Sequence, residues 1–294
     1  MGNISSYFMA TMAAIFWGAN FNLARPVLSE MGPYVAGASR YILAALIMVV
    51  ITMIKKETIP LRHLKSYLTL GIAGVFGFNL FFFLGMQTSS AINGALIMAL
   101  NPLLTAILGY FILKDIPTRK QLIAFPIGVA GVVIVVLGAG AHIEISIGDF
   151  YILLANLSWA LYNVLVRKMM PKDVNGIAST AGIMTVGAAA LTLVAILQGD
   201  SFIVPTISTG ISLILMVIGG SVLSYLFWNA SITKLGPSKA AIFMNLVPVT
   251  TMVIASIESL PPNHAQVLGA ILVVSAVTFS SFSVSKSGSD KTIN

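Results

Sequence analysis

Runs of about 20 apolar residues recur along the whole chain, each long enough to cross a hydrocarbon layer of about 30 Å as a helix. Ten are legible: Tyr7 to Ala24, Pro33 to Ile54, Tyr67 to Met86, Ala91 to Leu113, Gln121 to Ala139, Asp149 to Met170, Gly176 to Leu197, Ile211 to Thr233, Ser238 to Glu258 and Ala265 to Ser285. The linkers between them are no longer than about a dozen residues, which leaves no room for a soluble domain. Composition agrees, since 57% of the 294 residues are hydrophobic and 9% charged, with a mean hydropathy of +0.97. A water-soluble domain carries far more charge than this. The expectation is an all-α integral membrane protein of ten transmembrane helices that works inside the bilayer.

The net charge of +7 would suit a nucleic-acid partner if it were gathered in one patch, but it is spread over short loops. Its placement reports orientation instead. With a cytoplasmic N-terminus, 14 of the 16 basic residues fall on the inner side, and only Arg25 and Arg40 on the outer. That asymmetry obeys the positive-inside rule, so both termini are expected in the cytoplasm. No basic residue precedes the first span and no small-residue cleavage site follows it, so it reads as retained. Cysteine is absent, which excludes disulfides and thiolate metal sites.

The chain also repeats itself. WGANFNLAR from Trp17 lies over WALYNVLVR from Trp159 at a shift of 142, with Trp, Leu and Arg coinciding. GVFGFNLFFF from Gly74 lies over GSVLSYLFWN from Gly220 at a shift of 146, and that shift carries Pro102 onto Pro248. Residues 1–140 and 141–294 thus read as two five-helix repeats, the second ending in a short cytoplasmic tail. Five is odd, so the second repeat must enter the membrane from the opposite side. Inverted repeats around a central midplane cavity are the architecture of secondary transporters.

Candidate site residues follow from depth and polarity. Pro102 and Pro248 each remove a backbone donor and free a carbonyl one turn back, near Met98 and Met244, a natural hinge or kink. Neighbouring Asn101 and Asn245, or water, could satisfy those carbonyls. Trp17 and Trp159 fall near the centres of their spans, away from the interfaces that Trp favours. Asn156, Trp159 and Asn163 share one helical stripe, and Ser221, Tyr225 and Trp228 another. Asn20 accompanies Trp17, and Asn79 precedes Phe82 and Phe83. Singly these amides read as interhelical glue. Together, aromatic and amide groups from several helices at one depth read as a cavity wall. Glycine steps such as Gly71, Gly74, Gly77 and Gly128, Gly131 read as close helix packing.

The ionisable residues constrain chemistry by their positions. Every Asp, Glu and His lies at a helix end, in a loop or in the tail, so no acidic or histidine proton relay is expected. An enzyme's metal cluster or acid–base pair is missing as well. Arg40 alone sits inside a span, about 10 Å from the start of the second helix. It is expected to snorkel to the outer interface; the other reading pairs it with a substrate carboxylate.

On FWGANF (16–21), ASRYILAALI (38–47), ALNPLLTAILGYFILKD (99–115), LSYLFWNASI, NLVPVTTMVIAS and VLGAILVVSAV, the chain resembles the ten-helix EamA family of the drug/metabolite transporter superfamily. The resemblance spans nearly the whole chain. It implies ten helices with both termini inside and a central cavity lined mainly by helices one to four and six to nine. Arg40 matches an arginine often found in the family's second helix. Lys114 and Asp115 depart from the acidic-then-basic pair usual before helix five. By this resemblance the chain is expected to be a multi-pass protein of the bacterial cytoplasmic membrane that exports small neutral or aromatic amino acids and related metabolites. Alternatives are an exchanger of anionic metabolites, such as sugar phosphates or nucleotide sugars, and a broad-specificity drug exporter. No cofactor, metal or nucleic acid is expected, only a small-molecule substrate and lipid, with the protein a monomer or homodimer.

Overall fold

The computed structural model describes residues 2–89, 94, 97–138, 146–258 and 262–281, and among these it is helical with no strand. Residues 91–93 and 95–96 of the fourth apolar run, the loop around His142 and Glu144, and the tail bearing Lys286 and Lys291 lie outside the described residues. The chain runs through α1 (Gly2–Glu30), α2 (Pro33–Ile54), α3 (Leu64–Leu70), α4 (Phe78–Met86), α5 (Asn101–Leu113), α6 (Arg119–Gly138) and α7 (Ile147–Met169). It continues through α8 (Gly176–Leu197), α9 (Ile207–Leu215), α10 (Ser224–Leu235), α11 (Pro237–Ala241), α12 (Leu246–Glu258) and α13 (His264–Ser281). Among the described residues seven helices are long and apolar enough to cross a membrane, and Asn101–Leu113 and His264–Ser280 are shorter apolar helices.

Two of the long helices widen at mid-length. Between α3 and α4, Gly71–Gly77 is π-helical, and between α9 and α10, Met216–Leu223 is π-helical. A π turn lets carbonyls slip out of the regular i to i−4 ladder, and in an apolar interior they need other donors. They receive them from side chains. Ser158 Oγ donates to Ala73 O (2.7 Å), Tyr225 Oη to Gly74 O (2.9 Å) and Asn79 Nδ2 to Val75 O (2.6 Å). In the second segment Ser224 Oγ donates to Gly219 O (2.7 Å) and Trp17 Nε1 to Gly220 O (2.9 Å).

Glycine makes these approaches possible. A Cβ on Gly74 would fall 2.2 Å from Tyr162 Cδ2, and one on Gly220 would fall 2.0 Å from Asn20 Nδ2. The helices pair accordingly: α1 lies against α10 and α12, α7 against α4 and α5, α2 against α8, and α6 against α13. At that last crossing Gly131 and Gly269 face each other's carbonyl oxygens, the close packing read from the glycine steps.

Helix ends are fixed by local chemistry. Asn175 Oδ1 accepts from Ile177 N (2.9 Å) and caps α8. Gly236, at φ +85°, turns the chain between α10 and α11 in a conformation that suits glycine alone, and Pro237 then opens α11 where its missing N–H costs nothing. The first helix runs past Ala24, through Pro26, to Glu30. Arg25 and Pro26 suggest an earlier end, but Glu30 accepts from Thr206 N (2.8 Å), Thr206 Oγ1 (2.7 Å) and Thr209 Oγ1 (2.7 Å) at the start of α9, which anchors the extension.

Candidate functional site

Pro102 and Pro248 sit at helix restarts. Pro102 is in the first turn of α5, after a turn at Ala99–Leu100, and Pro248 is in the first turn of α12, after a 3₁₀ segment at Ile242–Asn245. The restart at α5 is held by an amide from another helix, since Asn156 Nδ2 donates to Ile97 O (2.5 Å). From there hydrogen bonds run in series. Asn101 Nδ2 donates to Asn156 Oδ1 (2.7 Å), Asn163 Nδ2 to Asn101 Oδ1 (3.3 Å), and Trp228 Nε1 to Asn163 Oδ1 (2.8 Å). Thr105 Oγ1 joins by donating to Asn101 Oδ1 (3.3 Å). All five residues are buried, so α5, α7 and α10 are tied by a polar chain whose members satisfy one another. In this conformation Asn101, Asn156, Asn163 and Trp228 serve as interhelical ties.

Asn245 is placed elsewhere. Its amide faces Gly128 of α6, where a Cβ would lie 2.3 Å from Nδ2, and neither of its side-chain polar atoms has a partner among the described residues. Counting residues gives depth along a helix but not the direction in which a side chain leaves it.

The aromatic residues do converge. Trp17 meets Trp159 and Trp228, each at 5.1 Å between ring centroids, and Tyr225 at 6.2 Å. Trp159 also meets Tyr162 at 5.0 Å, Phe78 at 5.3 Å and Tyr225 at 5.6 Å. Phe78 leads on to Phe82 at 5.6 Å. Tyr41 Oη donates to Tyr225 Oη (3.2 Å), which is the group held to Gly74 O. The Nε1 of Trp159 is buried with no partner among the described residues, although an indole N–H in an apolar interior normally finds one.

Arg40 departs from the snorkelling expectation. Its side chain is buried, at 7% exposure. Nε donates to Ser221 Oγ (2.8 Å), and the guanidinium carbon lies 5.3 Å from the Tyr41 ring centroid. Among the described residues no carboxylate comes within ion-pair distance of it, the ion pairs there being Asp173 with Arg62 (2.7 Å) and with His63 (3.1 Å). A buried cation held by a hydroxyl and a ring is short of compensation.

Tyr162, Tyr41 and Phe78 were not singled out from the sequence. The signal for Tyr162 was available, because the shift of 142 that carries Trp17 onto Trp159 carries Asn20 onto Tyr162. In space the two also play matching parts, Asn20 against Gly220 and Tyr162 against Gly74.

The sequence pattern of the EamA-like transporter family matches residues 4–137 and again residues 146–282. The chain belongs to the EamA-like transporter family. As a member of this family of transporters it is a multi-pass membrane protein with small-molecule substrates. It is 39% identical over 287 residues, 94% of its length and 93% of the relative's, to the "Uncharacterized transporter YyaM" of Bacillus subtilis (strain 168). It is 25% identical over 289 residues, 94% of each chain, to a "Probable amino-acid metabolite efflux pump" of Salmonella typhimurium. A "S-adenosylmethionine/S-adenosylhomocysteine transporter" of Chlamydia muridarum is 22% identical over 201 residues, 63% of each chain. A crystal structure of a protein 18% identical superposes with a TM-score of 0.79, covering 95% of this chain and 96% of that one, a likeness of fold.

Proposed function

We propose that this family member is a secondary transporter that exports small neutral or aromatic amino acids and related metabolites across the bacterial cytoplasmic membrane. The observation that carries the reading is Arg40, a buried cation with no carboxylate partner among the described residues, beside a cluster of tryptophan and tyrosine rings. A carboxylate-bearing substrate with an apolar body supplies what both lack. The amino-acid metabolites in the name of the Salmonella relative fit such a substrate. S-adenosylmethionine, named for the Chlamydia relative, is larger but carries the same α-ammonium and carboxylate groups. Sugar phosphates and nucleotide sugars are favoured less, because Arg40 is the one buried basic residue among those described and a phosphate dianion calls for more.

The mechanism proposed is alternating access between two inverted five-helix repeats, residues 1–140 and 141–294, with both termini cytoplasmic. Matching features support it. The π-helical segments Gly71–Gly77 and Met216–Leu223 fall at equivalent places, and α1 packs on α10 and α12 as α7 packs on α4 and α5. Trp17 and Trp159, equivalent in sequence, touch each other, as residues beside a two-fold axis do. The buried residues described include no Asp, Glu or His, so the proposed carrier needs no obligatory proton antiport. In liposomes, purified protein should show counterflow of labelled amino acid, accelerated by unlabelled amino acid on the far side. Absence of counterflow across the neutral and aromatic amino acids sinks the reading.

A further inference from the structure

Gly220 and Ser221 form one step of the second π-helical segment, and two groups with unmet needs flank it. On the α1 side the Asn20 amide lies directly against Gly220, and its Oδ1 is buried with no donor among the described residues. On the α2 side Arg40 spends its Nε on Ser221 Oγ (2.8 Å), leaving a guanidinium with further donors and, among the described residues, no anion. One group wants N–H donors and the other wants an anionic acceptor. Each alone is costly in a dry interior, yet they flank consecutive residues.

We infer that Asn20 and Arg40 form a head-group subsite that reads a zwitterion, with the substrate's ammonium on Asn20 Oδ1 and its carboxylate on Arg40. This rests on the transport reading above and narrows it to substrates carrying both charged groups on one carbon. An α-amino acid has that geometry. A phosphate ester does not satisfy it, since its oxygens would answer Arg40 but give Asn20 Oδ1 no donor. An amine alone would answer Asn20 and leave Arg40 bare. Trp17, one turn before Asn20 on α1, brings the ring cluster to the same place, so the substrate's apolar side chain lies against Trp17 and Trp159.

The test uses ligands that share a side chain and differ in the head. Phenylalanine, phenethylamine and 3-phenylpropanoate make one set; leucine, 3-methylbutylamine and 4-methylpentanoate make another. Each competes for counterflow in liposomes containing the full chain. In the wild type each amino acid should outcompete its amine and its acid by about tenfold or more, the effect of losing one charge-assisted hydrogen bond. Arg40→Gln should abolish the advantage over the amine, and Arg40→Lys should keep part of it. Asn20→Ala should abolish the advantage over the acid. Equal competition by all three members of a set in the wild type overturns the inference, a comparison that needs no variant to fold. Equal weakening of all three by both Arg40→Gln and Asn20→Ala overturns it too. If amino acids show counterflow and the head-group preference is missing, the subsite alone falls; if none shows counterflow, the transport reading falls with it.

Discussion

Trp17 and Trp159 stand edge to face, their ring planes at 89° and their centroids 5.1 Å apart. They close a ring of aromatic side chains drawn from α1, α4, α7 and α10, and their two indole N–H groups are treated differently. Trp17 Nε1 is spent on Gly220 O, while Trp159 Nε1 has no partner among the described residues.

The unequal indoles make a stability prediction. Trp228→Phe removes the donor to Asn163 Oδ1 and leaves a buried acceptor unpaired, at a cost of about 1–3 kcal/mol. Trp159→Phe removes an N–H that bonds to nothing, so no such cost arises. Both lose similar ring volume, so thermal denaturation in detergent should place Trp228→Phe clearly below Trp159→Phe. Equal melting temperatures would mean that the amide chain contributes little.

Two glycines should resist enlargement. A methyl at position 74 meets Tyr162, and one at 220 meets Asn20, so Gly74→Ala and Gly220→Ala should each cost about 1–3 kcal/mol through overpacking. Gly210, in α9, has nothing within 4 Å of the equivalent point, and Gly210→Ala should be neutral or stabilising by up to about 1 kcal/mol. Thermal stability of the three variants side by side checks this.

Acid sensitivity should trace to two surface carboxylates. Hydrogen bonds from Arg62 first, and then from His63, hold the Asp173 carboxyl at about 2, below its ordinary value of 3.8. Thr206, by its side chain and backbone, and then Thr209 lower that of Glu30 from 4.5. A depressed carboxyl stabilises the fold above its unfolded value, and the contribution is lost as pH falls from there through the folded value. For Asp173 that window runs from 3.8 down to about 2, so both contributions stay constant from about pH 5 to 8. Asp173→Asn should lower the melting temperature at neutral pH and flatten its fall within that acid window, so that variant and wild type converge as pH approaches about 2. An unaltered acid profile would contradict this.

Orientation can be read directly, because the chain has no cysteine of its own. With 14 of 16 basic residues assigned to the cytoplasmic side, a single cysteine at Pro60 or Thr118 should be protected from an impermeant maleimide in intact cells. One at Asp200 should react. The opposite pattern inverts the topology.

Depth was legible in the sequence, and direction was not. Apolar runs locate membrane-crossing helices because lipid demands length and hydropathy, and Trp17 and Trp159, each near the centre of its run, meet in the structure. The direction in which a side chain leaves its helix depends on packing. Asn101, Asn156 and Asn163 share a depth with the rings yet turn toward one another, while Asn245 turns toward Gly128. Arg40 looked close enough to the interface to reach it, but Ser221 and Tyr41 hold it inside. The π-helical segments were hidden for a further reason, since glycines that permit close packing and glycines at a widened turn are the same letters.

Those widened turns carry a mechanical consequence. At Gly74 and Gly220 the backbone oxygen is tethered sideways, by Tyr225 and Trp17. An oxygen held from the side can be released to its own helix and taken back, so each long helix can flex at its midpoint while that oxygen keeps a donor. The tethers are also members of the aromatic ring against which we proposed that the substrate lies. A molecule wedged against Trp17 or Tyr225 would loosen the tether, and the strain of occupancy would become slack in the helix.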